Sequence, residues 1–457
     1  MIEKKNVLMI ANTDTSLNGF LVLARIIYER NKYFPVILCE GKLRIGDLIE
    51  KNGIDVKRLR IEELPDIYKA KANLIKKVCR KLSTIFSKWL FWGPISVIEN
   101  MDYILKYSKI MREHFEKYRP KALVVYTDRR GGYERAAIYH AKKCNIPIVI
   151  PSVSHIFFQQ FFNNPHNGVY FKKEKRLPFI YRIAKKVNNN WVAEYEDNYV
   201  FFHNAQRLLA ANILKMCNMN PWVLGATKPT LNANADIDSY FETVKILGDD
   251  IASDSLAFTT NIEMYYVKKS LESKDEIRQK LKKKYNMQGD TIIIFSAVPY
   301  HEAGITDLEY NQDIHEKVIS YLSKQDTQIL VSLHPKMEKD NYLFLENYDN
   351  VVIVEEPLRD IIGCADIFVS CEESATKQWA VFLKMDMILL PEKWFRNSDE
   401  YEIKVFFDKF TENIIKDTEK KEAEMRLDFM ELFFSILEEK DIKPIIKKQF
   451  QALNIRV

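Results

Sequence analysis

The sequence predicts an α/β fold made of two Rossmann-like domains that face a cleft, followed by a C-terminal helical extension. Short apolar strands alternate with amphipathic helices in the first third of the chain, and the alternation begins again after residue 290. The chain has 457 residues, which is too long for one ordinary hydrophobic core. We therefore expect an N-terminal domain over residues 1–272, a second domain over 273–412 and C-terminal helices over 413–457.

The N-terminal domain begins with a predicted strand over residues 6–10, a helix over 17–30 and a strand over 35–38. A strand–helix–strand crossover follows at residues 122–126, 134–143 and 146–150. Strands joined by helices are typical of a doubly wound parallel sheet, and the polar loop 127–132 occupies a place where ligand-facing loops lie. We also predict a helix over residues 195–216.

The second domain repeats this alternation after a charged, solvated helix over residues 274–285. Its predicted strands cover residues 291–295, 328–333, 351–354, 367–369 and 387–390, and its predicted helices cover 311–322 and 376–383. Open parallel sheets bind ligands at the carboxyl ends of their strands. The residues that follow each strand are therefore the candidate site.

Composition and motifs exclude several classes of protein. Hydrophobic residues make up 47% of the chain, which is typical of a folded protein, and a net charge of +5 gives no support for nucleic-acid binding. The six cysteines are scattered, which predicts neither a zinc site nor a disulfide framework and favours a reducing cytoplasm. No GxGxxG, P-loop, HExxH or GxSxG motif is present, so a redox Rossmann enzyme, a simple NTPase, a zinc protease and a serine hydrolase are disfavoured.

A histidine follows the predicted strand 328–333. Pro335 disfavours helix at the residue before it, so His334 is held in an extended turn that aims its imidazole into the cleft. A neutral imidazole donates to a phosphate oxygen, and a protonated one adds charge beside a leaving diphosphate or monophosphate. The alternatives are a histidine satisfied by local backbone groups and, for Lys336, an ordinary surface charge.

The loop after the predicted strand 367–369 is rich in hydroxyl and carboxylate groups, namely Ser370, Glu372, Glu373, Ser374 and Thr376. One interpretation is that Ser374 or Thr376 caps the helix that follows. The other is that the hydroxyls and the helix N-terminus bind phosphate while one glutamate accepts the ribose hydroxyls. Both interpretations stay open.

A second histidine and a carboxylate, His301 and Glu302, follow the predicted strand 291–295. At that strand end they either contact the base, the sugar or the acceptor, or form an ordinary surface loop. The sequence does not favour one of these readings over the other.

The first domain offers three candidates for a general base. Asp128 lies in the loop 127–132, Glu134 follows that loop, and His155 follows another predicted strand end. A carboxylate at a cleft deprotonates a hydroxyl when desolvation raises its pKa. The alternatives are an ion pair between Asp128 and Arg129 that closes the loop, and a buried, hydrogen-bonded His155.

Two stretches combine basic and aromatic residues, at 69–92 and at 172–186. A basic amphipathic helix with aromatic residues suits the interface of an anionic membrane, and it equally suits packing of its apolar side into the domain core. The apolar window 82–98 is interrupted by Lys88, Gly93 and Pro94, so it predicts no membrane span, and no signal peptide is predicted at the N-terminal end.

The strand ends of the second domain resemble the nucleotide-binding half of GT-B type glycosyltransferases, especially the His-Pro group of sialyl-, Kdo- and glycerophosphate-transferases from bacterial surface-polysaccharide pathways. The resemblance rests on the sequence LVSLHP at 330–335 and on the loop 370–376. In teichoic-acid-type transferases this loop resembles a paired-serine pattern. Here Ser374 is kept, while Glu373 stands where the other serine would fall.

The first domain carries a second resemblance. Asp128 and Arg129 with Glu134 are similar to the Asp-Arg…Glu element of hydrolysing UDP-sugar 2-epimerases, which share this architecture. The loop 296–304 is loosely similar to a loop of those epimerases, but it lacks their arginine and asparagine.

The resemblance implies a metal-independent glycosyltransferase of bacterial surface-polysaccharide assembly. It would move a sugar from a CMP- or UDP-linked donor, held by the second domain, to a glycan or lipid-linked acceptor held by the first, with no cofactor besides the nucleotide-sugar co-substrate. Asn18 and Arg129 would contact the acceptor, and the C-terminal helices would pack back on the first domain. A hydrolysing UDP-sugar 2-epimerase and a non-catalytic nucleotide- or glycan-binding subunit stay open as alternatives. We expect a cytoplasmic location, with peripheral contact at the inner face of the plasma membrane as one interpretation of the basic stretches.

Overall fold

The computed structural model describes residues 5–30, 32–51, 53–67, 92–129, 131–151, 169–195, 197–217, 220–325, 327–372, 374, 376–396, 400–415 and 425–454. The chain forms two compact units. The first unit comprises Met1–Ile262 and Arg426–Val457, and the second unit comprises Glu263–Met425. Each unit is an α/β fold built on a parallel sheet, which confirms the predicted fold class.

The strands of the first unit are β1 (Lys5–Ala11), β2 (Tyr33–Glu40), β3 (Arg60–Leu64), β4 (Ala122–Val125), β5 (Ile148–Ile150), β6 (Val169–Lys172), β7 (Val192–Tyr195), β8 (Asn198–Phe201), β9 (Leu231–Asn234) and β10 (Leu256–Phe258). Seven of them form a parallel sheet in the order β10-β9-β5-β4-β1-β2-β3. Strand β1 lies in the interior of the sheet, between β4 and β2, and its residues from Val7 to Ala11 have no exposed surface. Burial on both faces explains why the parallel strands read as continuous apolar runs.

The helices of the first unit that precede residue 262 are α1 (Asp14–Glu29), α2 (Ile45–Lys51), α3 (Trp92–Tyr118), α4 (Tyr133–Lys143), α5 (Phe179–Val187), α6 (Ala205–Ile213), α7 (Ile237–Leu247) and α8 (Asp249–Ser255). Helix α1 begins three residues before its predicted start. The cause is a capping box, in which the Ser16 N–H donates to Thr13 Oγ1 at 3.1 Å and the Thr13 N–H donates to Ser16 Oγ at 3.0 Å. The helix therefore follows β1 almost directly.

The structure corrects the predicted helix over residues 195–216. That segment contains the end of β7, the whole of β8 and then α6. Strands β6, β8 and β7 form a separate antiparallel sheet in which Val200 pairs with Tyr170 and with Ala193. Each strand has only four residues, too few for a periodic pattern to separate a strand from a helix.

The second unit contains the strands β11 (Ile292–Ser296), β12 (Gln328–Ser332), β13 (Val351–Ile353), β14 (Ile367–Cys371) and β15 (Asp386–Leu390), and the helices α9 (Met264–Glu272), α10 (Lys274–Tyr285), α11 (Leu308–Leu322), α12 (Leu358–Ile361), α13 (Lys377–Phe382) and α14 (Glu400–Asp408). All five strands are parallel, in the order β13-β12-β11-β14-β15. The strands predicted in this region are present, with ends shifted by one or two residues.

The second unit begins at Glu263, ten residues before the boundary placed at 273 from the sequence. Helix α9 packs onto this unit, because the Gly363 N–H donates to Ser270 Oγ at 2.9 Å. A Cβ at Gly363 would lie 2.5 Å from the Cα of Leu271, so the two backbones are in close contact here. This contact, which no local pattern encodes, assigns α9 to the second unit.

The chain returns to the first unit at Arg426, later than the position 413 expected from the sequence. The delay arises because Ile415 still pairs with Met387 of β15. After the return come α15 (Phe429–Leu437) and α16 (Lys443–Asn454). Gln449 on α16 joins the sheet edge, since its Oε1 accepts from the Phe258 N–H at 3.0 Å and its Nε2 donates to the Phe258 carbonyl at 2.7 Å.

Among the described helices, none is both long and apolar enough to cross a membrane. Most of the basic stretch 69–92 lies outside the described residues. The second stretch ends in α5, which buries Tyr181 and Ala184 in the first unit. Phe179 and Val187 on the same helix remain exposed at 59% and 46%.

Candidate functional site

The second unit has a topological switch point beside β11. The chain runs from β11 outward to β12 and β13, and then crosses to β14 and β15 on the other side. At such a point the loops after the two adjacent strands diverge and leave a crevice where open α/β sheets bind ligands. The loops in question follow Ser296 and Cys371.

Three hydroxyl groups meet at this crevice. Thr376 Oγ1 lies 3.2 Å from Ser296 Oγ and 2.7 Å from Ser374 Oγ. The nearby Ser370 is fully buried, and its Oγ has no hydrogen-bond partner among the described residues. We call Ser296, Ser370, Ser374 and Thr376 the hydroxyl cluster.

The structure excludes one of the two sequence interpretations of Thr376. Thr376 occupies the N-cap position of α13, but its side chain makes no capping hydrogen bond, so the cap interpretation is wrong for this residue. Its hydroxyl instead bridges the ends of β11 and β14, through Ser296 and Ser374. Ser296, which sequence reasoning did not select, is signalled only by its place as the last residue of a strand.

The loop that follows β11 is held by a buried histidine. The Val298 N–H donates to His315 Nε2 at 3.3 Å, and His315 Nδ1 donates to the Asn311 carbonyl at 2.6 Å. Burial lowers the pKa of His315 to about 4, because the charged imidazolium loses its hydration there. His315 is therefore neutral near pH 7 and serves as a fixed acceptor for the loop backbone.

Glu302 presents a buried oxygen in the same loop. Asn311 Nδ2 donates to the Tyr342 hydroxyl at 2.8 Å, and that hydroxyl donates to Glu302 Oε1 at 3.2 Å. Glu302 Oε2 is buried and has no hydrogen-bond partner among the described residues. A buried carboxylate oxygen without a donor is costly, so Oε2 is suited to accept from a ligand hydroxyl. The neighbouring His301 Nδ1 lies 3.3 Å from the Thr306 carbonyl, which turns it toward its own loop.

His334 lies at the same edge of the sheet as the hydroxyl cluster. Ser332 is the register partner of Ser296, and His334 follows it by two residues. The Lys336 N–H donates to His334 Nδ1 at 3.2 Å, which leaves the proton of the neutral ring on Nε2. His334 is half-buried, whereas Pro335 and Lys336 are exposed.

Two acidic candidates of the second unit, Glu372 and Glu373, remain. Glu372 is exposed, and its N–H donates to the Leu390 carbonyl at 3.1 Å, which anchors the start of the loop to β15. Glu373 lies outside the described residues.

The first unit has its own switch point, between β1 and β4. Asp128 follows β4 and is 2% exposed. Its Oδ1 accepts from the Gly225 N–H at 3.2 Å, and its Oδ2 accepts from the Thr227 N–H at 2.9 Å and the Thr227 hydroxyl at 2.7 Å. The carboxylate therefore holds the loop 225–227 against the end of β4.

The other candidates of the first unit occupy separate positions. Glu134 is fully buried in the first turn of α4, and Arg129 reaches the Trp222 carbonyl at 3.5 Å. Asn18 is half-buried on α1. His155 lies outside the described residues.

A group of cationic side chains near the same strand end was not selected from the sequence. Arg135 is buried in the first turn of α4, while Arg207 in the first turn of α6 lies against Gly131. His203 Nε2 lies 3.1 Å from the Arg129 carbonyl. Burial, Arg135 and Arg207 together lower the pKa of His203 to about 3, so this histidine is neutral near pH 7.

Within the described ranges, no group of three or more histidine, cysteine, aspartate or glutamate side chains is arranged to hold a metal ion.

No protein-family model matches the sequence, and no curated protein matches it at a significant level. Solved structures of two kinds are similar to the chain. A UDP-GlcNAc 2-epimerase from Neisseria meningitidis, bound to UDP-GlcNAc, is 12% identical over 98% of each chain, with a TM-score of 0.43. A glycosyltransferase from Rickettsia africae is 11% identical over 98% of this chain and 94% of its own, with a TM-score of 0.41. A UDP-GlcNAc 2-epimerase from Methanocaldococcus jannaschii is 12% identical over 84% of this chain and 83% of its own, with a TM-score of 0.41. These similarities are too distant to carry a function, so we infer it from the residues of this chain.

Proposed function

We propose that the protein is a glycosyltransferase that takes a sugar from a pyrimidine-nucleotide donor, CMP- or UDP-linked, and moves it to a glycan or lipid-linked acceptor. The observation that carries this proposal is the hydroxyl cluster at the switch point of the second unit. Thr376 joins hydroxyls from two strand ends there, with Glu302 and His334 on neighbouring loops of the same sheet edge. Hydroxyl donors and an imidazole N–H suit a phosphate group, and a carboxylate oxygen without a donor among the described residues suits a sugar or ribose hydroxyl.

The second unit stabilises the leaving nucleotide in this proposal. As the glycosidic bond breaks, negative charge grows on the phosphate oxygen that departs. The His334 Nε2–H and the hydroxyls of Ser374 and Thr376 donate to that oxygen, and donors fixed in place before the reaction stabilise such charge effectively. Glu302 Oε2 accepts from a hydroxyl of the donor and orients it. No cofactor and no metal ion take part in the proposed reaction.

The first unit binds the acceptor in this proposal, with Asn18 and Arg129 as acceptor contacts. Glu134 is the preferred general base, because both oxygens of Asp128 already accept hydrogen bonds from the loop 225–227. Asp128 then acts as a positioning residue. His155 stays a candidate base.

We place the reaction in bacterial surface-polysaccharide assembly, in the cytoplasm and at the inner face of the plasma membrane. The exposed Phe179 and the basic last turn of α5, with Lys185 and Lys186, support contact with an anionic bilayer. Phe179→Ser should then weaken co-sedimentation with phosphatidylglycerol vesicles. Equal sedimentation of the wild type with neutral and anionic vesicles would contradict this part of the proposal.

The donor site is tested by thermal denaturation of the full chain with CMP, CDP, UMP, UDP and GDP, since a ligand that binds the native state raises its melting temperature. We expect a cytidine or uridine nucleotide to stabilise the wild type and to stabilise Thr376→Val and His334→Ala less. Thr327→Val is the control, because it removes a threonine hydroxyl that is buried without a hydrogen-bond partner among the described residues and that lies at the opposite, amino end of β12. Its response should equal that of the wild type. No response to any nucleotide would refute the proposed donor site.

Turnover separates the proposed transferase from its rivals. A transferase releases nucleotide from the sugar donor in proportion to added acceptor. Release of UDP with 2-epimerised sugar and no acceptor would identify a hydrolysing epimerase instead. Binding of nucleotide without release, in the presence of polysaccharide and lipid-linked acceptors, would identify a non-catalytic subunit.

A further inference from the structure

Arg135 is an unusual residue of the first unit because its charge is buried and no ion pair joins it to a carboxylate among the described residues. It is 6% exposed, and none of its three side-chain nitrogens has a hydrogen-bond partner in the described part of the chain. Burial and the nearby positive charge of Arg207 lower its pKa to about 10, which still leaves the guanidinium charged near neutral pH. An unpaired buried cation is strongly unfavourable, so such a residue is retained where an anion completes its environment.

A second guanidinium comes from a different helix. Arg207 lies in the first turn of α6, where the Asn204 side chain caps the helix by accepting from the Arg207 N–H at 2.9 Å. Its side chain extends to the glycine loop after β4, where a Cβ at Gly131 would lie 2.7 Å from Arg207 Nε. Because residue 131 is a glycine, the Arg207 guanidinium can lie directly against the backbone of this loop.

The N-terminus of α4 adds backbone donors at the same place. Gly132 occupies the N-cap position and forms no side-chain capping bond. Its φ of 78° lies in the region that favours glycine, and this conformation begins the helix directly after the loop. The first N–H groups of an α-helix project outward beyond its N-terminal end and bind oxyanions together with the helix dipole. The Glu40 carboxylate approaches from the other side, with Oε1 2.9 Å from the position of a Cβ at Gly132. The site thus combines two guanidinium groups and one helix N-terminus with a single carboxylate beside its N-cap residue.

The chemistry of these donors favours phosphate over carboxylate. Two arginines from separate helices and a set of backbone N–H groups approach from several directions, which suits the tetrahedral array of phosphate oxygens. His203 belongs to the same cluster but is neutral, so it neither adds charge nor competes for the anion. Asp128, the first predicted base after β4, is bonded to the loop 225–227.

We infer that Arg135, Arg207 and the N-terminus of α4 form a phosphate-binding site in the first unit. This inference rests on the proposed function for its biological meaning, because a phosphate held there identifies the acceptor as a phosphorylated glycan or a phosphate-linked lipid. Binding of phosphate itself does not depend on that function.

The test is calorimetric titration of the full chain with inorganic phosphate, and in parallel with acetate, in a buffer free of both ions. Phosphate should bind the wild type, and its affinity should fall at least tenfold in Arg135→Met. Arg112→Met is the matched control, because it removes an arginine of the same unit whose side chain is 60% exposed. The control should bind phosphate like the wild type.

Melting temperatures distinguish a binding role from a structural one. In phosphate-free buffer Arg135→Met should melt at or above the wild-type temperature, since the substitution removes an unpaired buried charge. A structural arginine would instead lower the melting temperature when replaced. Should Arg135→Met fail to fold, Gly131→Ala provides a second variant, because its Cβ displaces the Arg207 guanidinium and leaves Arg135 in place; it should also weaken phosphate binding at least tenfold.

Two further outcomes would overturn the inference. Phosphate affinity that is unchanged in Arg135→Met, or lost in Thr376→Val alone, would place the phosphate in the second unit and leave the proposed donor site intact. Acetate binding as tight as phosphate binding would refute the assignment of a phosphate ligand. Conversely, phosphate binding that depends on Arg135 in a protein that binds no nucleotide would support this site while refuting the proposed function.

Discussion

Acidification should destabilise the second unit because His315 is buried in its neutral form. The ring lies between the Val298 N–H and the Asn311 carbonyl and is surrounded by Phe295, Tyr342 and Phe395. Protonation would leave the Val298 N–H facing a second donor instead of an acceptor. The unfolded chain takes up this proton readily, so acid shifts the equilibrium toward unfolding.

The size of the effect follows from two pKa values. The pKa of His315 is about 4 in the folded protein, against about 6.5 in an unfolded chain. Because the unfolded state binds more protons over this interval, stability falls as the pH decreases from about 6.5 to about 4. This difference gives a loss of about 2 kcal/mol between pH 7 and pH 5, and about 3 kcal/mol by pH 4.

The assay is urea denaturation of the full chain at pH 7, 6 and 5, with the wild type and His315→Gln. Glutamine offers a donor and an acceptor but does not titrate, so the variant should lose about 2 kcal/mol less stability than the wild type over this range. Val318→Ala, one turn along α11, is the control that identifies the transition of the second unit and should lower its stability equally at every pH. Parallel pH curves for the wild type and His315→Gln would refute the reasoning.

Two substitutions test the packing within each unit. Gly363→Ala should lower stability by about 3 kcal/mol in thermal or urea denaturation, because its Cβ would meet the backbone of α9 at 2.5 Å and a helix backbone cannot move aside cheaply. Gly46 is a helical glycine, and a Cβ at its position would have nothing within 4 Å. Gly46→Ala should therefore leave the stability unchanged or raise it. Equal effects of Gly363→Ala and Gly46→Ala on stability would contradict this account. Gln449→Leu should cost about 2 kcal/mol, since it leaves the buried Phe258 N–H unpaired, while the Phe258 carbonyl still accepts from the Leu427 N–H at 3.0 Å. Gln451 is exposed, so Gln451→Leu serves as the control. If Gln451→Leu lost as much stability as Gln449→Leu, the pairing with Phe258 would not be the cause.

The alternation of strands and helices was predictable because each element carries its own signal. Strand β11 is an uninterrupted apolar run that is completely buried, and its place in the second unit matches the prediction. The small antiparallel sheet was not predictable, because β7 and β8 have four residues each and are stabilised by pairing with each other and with β6. Their stability is a property of the paired strands rather than of either segment.

In the candidate site too, some features were predictable from the sequence and others were visible only in the structure. The sequence indicated Thr376 and Ser374 as polar residues after a strand, but two interpretations fitted them equally. The missing capping bond of Thr376 and its contact with Ser296, eighty residues away, were visible only in the structure. A contact of this kind depends on the order of strands in the sheet, which local periodicity does not encode.

The sequence by itself determined the fold class, the positions of most strands and the strand ends at which chemistry is placed, because burial and hydrogen bonding along each strand are local properties of the chain. The tertiary structure alone decided which of those ends are neighbours and which charges lie together. Arg135 and Arg207 are more than seventy residues apart along the chain, and helices α4 and α6 bring them together near one loop. Electrostatic repulsion opposes that juxtaposition, so it is the packing of the helices that imposes it.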